Sequence, residues 1–192
     1  MKSQYHTVLG LLLFASAAEA HPLHNNIAGF MDGFNHPFSG VDHLLAMLAV
    51  GIYAVQRGGR ALWALPTSFV VAMAAGVTAC TLGMTLPFIG MGVACTVVLL
   101  GMLVATGARL SAVVSMVLIA ACGFYHGFAH GGQLAMATSA ISYGAGMLMA
   151  TAMLHAVGIF SALRLYRLRH SELLRIAGIS IASVGLVLIS GT

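Results

Sequence analysis

An all-α, polytopic membrane bundle of six transmembrane helices behind a cleavable signal peptide is the fold class this sequence predicts. Three observations carry it. Apolar residues make up 60% of the 192 positions and charged residues 6%, with a mean hydropathy of +0.99. A soluble domain needs far more charge to cover its surface. The apolar runs are continuous, without the polar–apolar alternation of a barrel strand. The basic residues fall between those runs in a one-sided pattern. A span takes about 20 apolar residues, so the chain has room for about six helices and no separate soluble domain.

Residues 1–20 read as a secretory signal. Lys2 supplies the positive start, Thr7 to Ala15 a short apolar core, and Ala18-Glu19-Ala20 a cleavage triplet. Cleavage there leaves His21-Pro-Leu-His24 as the new N-terminus. Its amine and the imidazoles of His21 and His24 suit capture of a metal ion, or form a plain polar tail. The remainder, 21–192, is one membrane domain. Its apolar segments run over about 37–56, 61–83, 87–108, 110–128, 136–163 and 173–190. Each is expected to be helical, because lipid requires the backbone to satisfy itself within the segment. The sixth carries Arg175 in its first turn, which must snorkel.

With residue 21 outside, the loops after segments one, three and five face the cytoplasm. They and the adjoining first turn of segment six hold Arg57, Arg60, Arg109, Arg164, Arg167, Arg169 and Arg175, while the loops after segments two and four hold no Lys or Arg. This distribution orients the chain in the cytoplasmic membrane with both mature termini outside. It also explains the net charge of +4 without nucleic acid. Cys80, Cys95 and Cys122 sit in apolar runs with no C-x-x-C and read as small packing residues. Gly123, Gly127 and Gly131 recur every fourth position and bare one helix face. That face lets a helix approach closely, within one bundle or between copies in a homo-oligomer. Gly131-Gly132 is also a candidate break in the fourth helix.

The chemistry concentrates in three places. His36-Pro37-Phe-Ser39-Gly40-Val-Asp42-His43 heads the first segment. Pro37 suits a first helical turn. Ser39 and Asp42 fit a capping box, so Asp42 reads either as a helix cap or as a ligand. His36 and His43 share a face if the helix reaches back to His36. Met47 lies one turn beyond His43, and Asp32 four residues before His36. His126 and His130, four apart near the end of segment four, share a second face, with Gln133 following. His155 lies alone in segment five. Ionisable groups inside spans are costly and face a bundle interior or polar path. Imidazoles with little carboxylate and no thiolate suit a divalent first-row metal in exchangeable ligation. The metal set is therefore His36, Asp42, His43, His126, His130 and His155, with Asp32, Met47 and Gln133 as outlying candidates. The partners are a divalent ion and the lipid bilayer, with no prosthetic group.

The run His36-Pro37…Gly40-x-Asp42-His43…Met47…Val50-Gly51 resembles the first-span signature of the HupE/UreJ nickel/cobalt permeases. His126-Gly-x-Ala-His130-Gly resembles that family's second signature, and Leu154-His155 also matches. The likeness covers essentially the whole chain. It implies uptake of Ni²⁺ or Co²⁺ for urease, hydrogenase or cobalamin pathways. One departure stands out: Gln133 occupies a position where the family commonly has glutamate. The residues alone reach a histidine-lined divalent-metal membrane protein. A metal-binding sensor or accessory subunit without net flux is the second reading. An intramembrane enzyme is the third, disfavoured because no G-x-S-x-G or H-E-x-x-H occurs, and no Walker A loop supplies ATP hydrolysis.

Overall fold

The computed structural model describes residues 29–191 apart from 138, and these form helices joined by short turns. The elements are α1 (Phe30–Ser39), α2 (Val41–Arg57), α3 (Ala61–Thr81), α4 (Ile89–Thr106), α5 (Ala112–Met136), α6 (Ala140–Arg167) and α7 (Glu172–Ser190). Five of them, α3 to α7, are long and apolar enough to cross a membrane. The pair α1 and α2 makes a sixth span only if taken as one broken element, bent by 86°. The signal segment 1–20, with His21 and His24, lies outside the described residues.

The first segment departs most from expectation. The helix does not begin at Pro37; Pro37 is buried inside α1. The break falls at Gly40, whose extended backbone (φ −107°, ψ 120°) ends α1 and opens α2. Nor does a capping box form. Ser39 Oγ donates instead to His36 O at 2.6 Å, and α2 has no side-chain cap. Elsewhere the differences are small. The expected break at Gly131-Gly132 does not occur, and α5 continues to Met136. Gly132 meets no neighbour, whereas Gly131 packs on Cys80. Gly131 therefore serves contact rather than a turn.

Glycine sets which helices touch. A Cβ at Gly123 would strike the backbone of Phe69, one at Gly127 the backbone of Met73, and one at Gly131 the Cys80 side chain. Both sets of numbers rise together, so α3 and α5 run parallel. The stripe is thus used inside the chain. Gly101, Gly178 and Gly185 seat α4 against α7 in the antiparallel sense, through Ala182, Ala105 and Val98. Gly33 and Gly146 seat α1 on α6 through Tyr143 and Phe30, and Gly51 and Gly158 seat α2 on α6 through His155 and Leu48; from α1 to α2 the contacts climb α6, so α2 and α6 run the same way. Close backbone approach replaces the hydrophobic drive that lipid cannot supply between helices.

These directions bring the C-terminal ends of α2, α4 and α6 to the same end of the bundle as the start of α3, α5 and α7. All seven arginines lie at or beside that end. Side chains tie it together. Tyr53 Oη donates to Ala108 O at 2.9 Å, Gln56 Nε2 to Val104 O at 2.8 Å and Arg57 to Leu110 O at 2.5 Å. The other half of the bundle holds His36, His43, His126 and His130.

Candidate metal pathway

Three elements deliver the polar groups of the histidine half. The break at Gly40 turns α1 across the head of α2, so His36 comes back over His43 without a continuous helix. Their ring centroids are 6.0 Å apart. Gly40 has a steric reason as well. A Cβ there would lie 2.7 Å from Asp42 Oδ1 and 2.9 Å from His43 Nδ1, which would displace that pair. From α5, His126 and His130 reach the same place from one face. His130 stands 4.5 Å from His36 and 4.2 Å from His43, ring to ring. His126 stands 4.9 Å from His43.

The hydrogen bonds show which nitrogen each ring presents. Asp42 Oδ1 accepts from the backbone N–H of His43 at 2.9 Å and from its Nδ1–H at 2.7 Å. A carboxylate can only accept, so neutral His43 carries its proton on Nδ1 and its lone pair on Nε2. His126 follows the same logic. Its Nδ1 faces Cys122 O at 3.3 Å and Thr96 Oγ1 at 3.4 Å. The Thr96 hydroxyl spends its proton on Val93 O at 2.6 Å. Both neighbours therefore accept from Nδ1–H. His130 Nδ1 faces Gln133 Oε1 at 3.4 Å and His36 Nε2 at 2.8 Å, and it donates to them. In all three rings Nε2 is left with the lone pair. Nε2 of His43, His126, His130 and His155 is buried without a hydrogen-bond partner. A buried polar atom without a partner costs about 1–3 kcal/mol, so three on adjoining rings, with a fourth at His155 beyond Phe69, call for a ligand. A carboxylate or carbonyl on one imidazole nitrogen, with the other open, is how histidine is set up for a metal.

The expected set is not gathered whole. His36, Asp42, His43, His126 and His130 are brought together. His155 is not in ring contact with them; Phe69 stands between, 5.7 Å from His126 and 5.3 Å from His155. Asp32 is exposed in the first turn of α1. Met47 is fully buried in the apolar core. Gln133 touches His130 through its amide oxygen. Among the described residues, no three His, Cys, Asp or Glu side chains converge as a closed ligand group. The rings follow one another instead, in the order His36, His130, His43, His126, Phe69 and His155.

Sequence reasoning missed Phe69, Thr96 and Tyr143, whose ring lies 6.2 Å from His36. Thr96 was the legible one, a hydroxyl inside an otherwise apolar run. Phe69 and Tyr143 carry no local mark, because aromatics are ordinary in a span.

The family model described as "HupE / UreJ protein" matches residues 9–188. The chain is 39% identical over 190 residues to Protein HupE of Rhizobium leguminosarum bv. viciae, covering 98% of each chain. No solved structure matches. The family comprises transporters rather than enzymes. On the extent of both matches, the chain belongs to the HupE/UreJ family.

Proposed function

We propose that this chain carries Ni²⁺ or Co²⁺ inward across the bacterial inner membrane, supplying metalloenzyme or cobalamin pathways. The observation that carries the reading is the set of buried, unpartnered Nε2 atoms on His43, His126, His130 and His155. Asp42 supplies the one carboxylate among the clustered groups, offsets part of the ion's charge and holds the His43 ring. His36 and His130 share the outermost position. From there the ion passes to His43 and His126, and past Phe69 to His155. Rings in succession suit passage better than a closed chelate, since an ion must leave each station as readily as it enters. The metal is substrate here, not a resident cofactor.

In this reading the arginine end faces the cytoplasm, residues 1–20 are removed as a signal peptide, and both mature termini lie outside. His21 and His24 collect the ion at the outer mouth. Gln133 keeps an acceptor on His130 but adds no charge, which favours exchange over retention.

The test is uptake of radioactive Ni²⁺ by proteoliposomes containing only this chain, with Co²⁺ and Zn²⁺ as competitors. His43→Ala and Asp42→Ala are expected to abolish uptake while folded protein is recovered at the normal level. Undiminished uptake by both variants would sink the reading. Ni²⁺ binding without net flux in the unaltered chain would shift it to a sensor or accessory subunit.

A further inference from the structure

At the arginine end, away from the candidate metal pathway, a cavity of about 320 Å³ opens between four elements. Its lining includes Gln56 at the end of α2, Arg109 in the turn after α4, Tyr166 at the end of α6, and Ser171, Glu172 and Arg175 at the start of α7. Two guanidinium groups from distant parts of the chain share this one concavity. Arg57, nearby, is committed to Leu110 O. Arg109 and Arg175 differ: among the described residues neither makes a hydrogen bond or ion pair. Glu172 also lines the cavity and is paired with neither arginine; its carboxylate lies 3.5 Å from His170 Nδ1, so one negative charge stands beside the two positive ones.

A second feature adds to the same sign. Helix α7 begins at the cavity, and its N-cap Ser171 makes no side-chain cap bond. The N–H groups of Leu173 and Leu174 turn back to His170 O and Ser171 O, so this end offers an anion the positive pole of a 19-residue helix rather than a row of open donors. The two guanidinium forks are the donor set for a tetrahedral oxyanion, which takes bidentate N–H bonds from arginine. The volume exceeds that of a bare phosphate and falls in the range of small-molecule sites. Its level along the bundle is where the spans end, the depth of phospholipid headgroups. Tyr166, 43% exposed beside the cavity, is the kind of amphipathic ring that lines that level.

We propose that this cavity is a phosphate-type anion site, with Arg109 and Arg175 as its binding residues. The proposal stands apart from the metal pathway and does not depend on it. The phosphate comes either from a lipid headgroup or from solution. A bound anion there ties the ends of α2, α4 and α6 to the start of α7, and so raises the stability of the folded chain by linkage.

The experiment uses the full chain in neutral detergent and follows thermal unfolding. One arm adds mixed micelles containing phosphatidylglycerol, against a galactolipid that has no phosphate. The other adds inorganic phosphate, against chloride at equal ionic strength. The expected result is a rise in Tm of about 2–4 °C in at least one arm. That rise is lost in Arg109→Gln/Arg175→Gln and kept in Arg164→Gln. A rise confined to phosphatidylglycerol identifies a lipid headgroup, and a rise with inorganic phosphate identifies a soluble anion. Should the double variant fail to fold, native mass spectrometry of Arg109→Gln and Arg175→Gln separately counts retained phospholipid or phosphate, which should fall in both. No rise in either arm, or a rise undiminished by loss of the arginines, overturns the proposal.

Discussion

The two ends of this bundle treat their polar groups differently. At the arginine end, Tyr53, Gln56 and Arg57 each spend one donor on a backbone carbonyl of the α4–α5 region, although Gln56 Oε1 and Arg57 Nε are buried without a partner. Those bonds close the structure. At the histidine end, His43, His126 and His130 are held on one side of the ring. Asp42, the carbonyl of Cys122 and Gln133 hold Nδ1, and Nε2 is left open. Polarity at the first end serves stability. Polarity at the second is held ready at a cost in stability, which is the usual mark of function.

The contrast can be broken most severely through the helix contact beneath the histidines. Gly127→Ala places a methyl group against the backbone of Met73, which cannot move aside without shifting α3. Overpacking of this kind costs about 1–3 kcal/mol or more, and recovery of monodisperse protein from detergent should collapse. Gly132→Ala, with nothing within 4 Å, is the matched control. It should be neutral, or stabilise by up to about 1 kcal/mol through helix propensity. Equal behaviour of the two would show that close approach does not govern this half.

Next in size is the removal of orientation without removal of shape. Asp42→Asn keeps an acceptor beside His43 but loses the carboxylate charge. Loss of such an outer partner costs about 10–100-fold in metal affinity. Ni²⁺ binding by titration calorimetry should weaken by that order while Tm stays within a few degrees. His155→Leu goes further in the same direction: it deletes a buried unpartnered nitrogen, so Tm should hold or rise while uptake falls. A variant in which stability and uptake fall together would mean that the histidine end is structural after all.

The smallest effect belongs at the other end. Tyr53→Phe deletes the hydroxyl that donates to Ala108 O and leaves the ring in place. A net hydrogen bond is worth about 1 kcal/mol, so Tm should drop by about 2–4 °C. Uptake per folded molecule should not change. A lowered uptake with unchanged Tm would blur the division between the two ends.

Much of this was legible in the residues. The helical membrane class, the apolar segments and the one-sided arginines follow from local composition, because bilayer thickness sets segment length and charge sets which loops stay behind. Five clustered site residues, His36, Asp42, His43, His126 and His130, stood out because ionisable groups are rare in so apolar a chain. The sequence could not show that Gly40, not Pro37, divides the first segment, since a glycine in an apolar run permits a bend without requiring one. It could not show that Asp42 holds an imidazole as well as a first-turn N–H of α2; both uses begin from the same few residues.

The tertiary structure alone decided which faces meet. It put Phe69 between His126 and His155, turned the Gly123–Gly127–Gly131 face towards α3, and brought Arg109 and Arg175 to one cavity. Each of these joins positions far apart in the chain, and each depends on how closely two backbones can approach. Periodicity gives a helix its faces, but only packing against the other helices settles which face finds which partner.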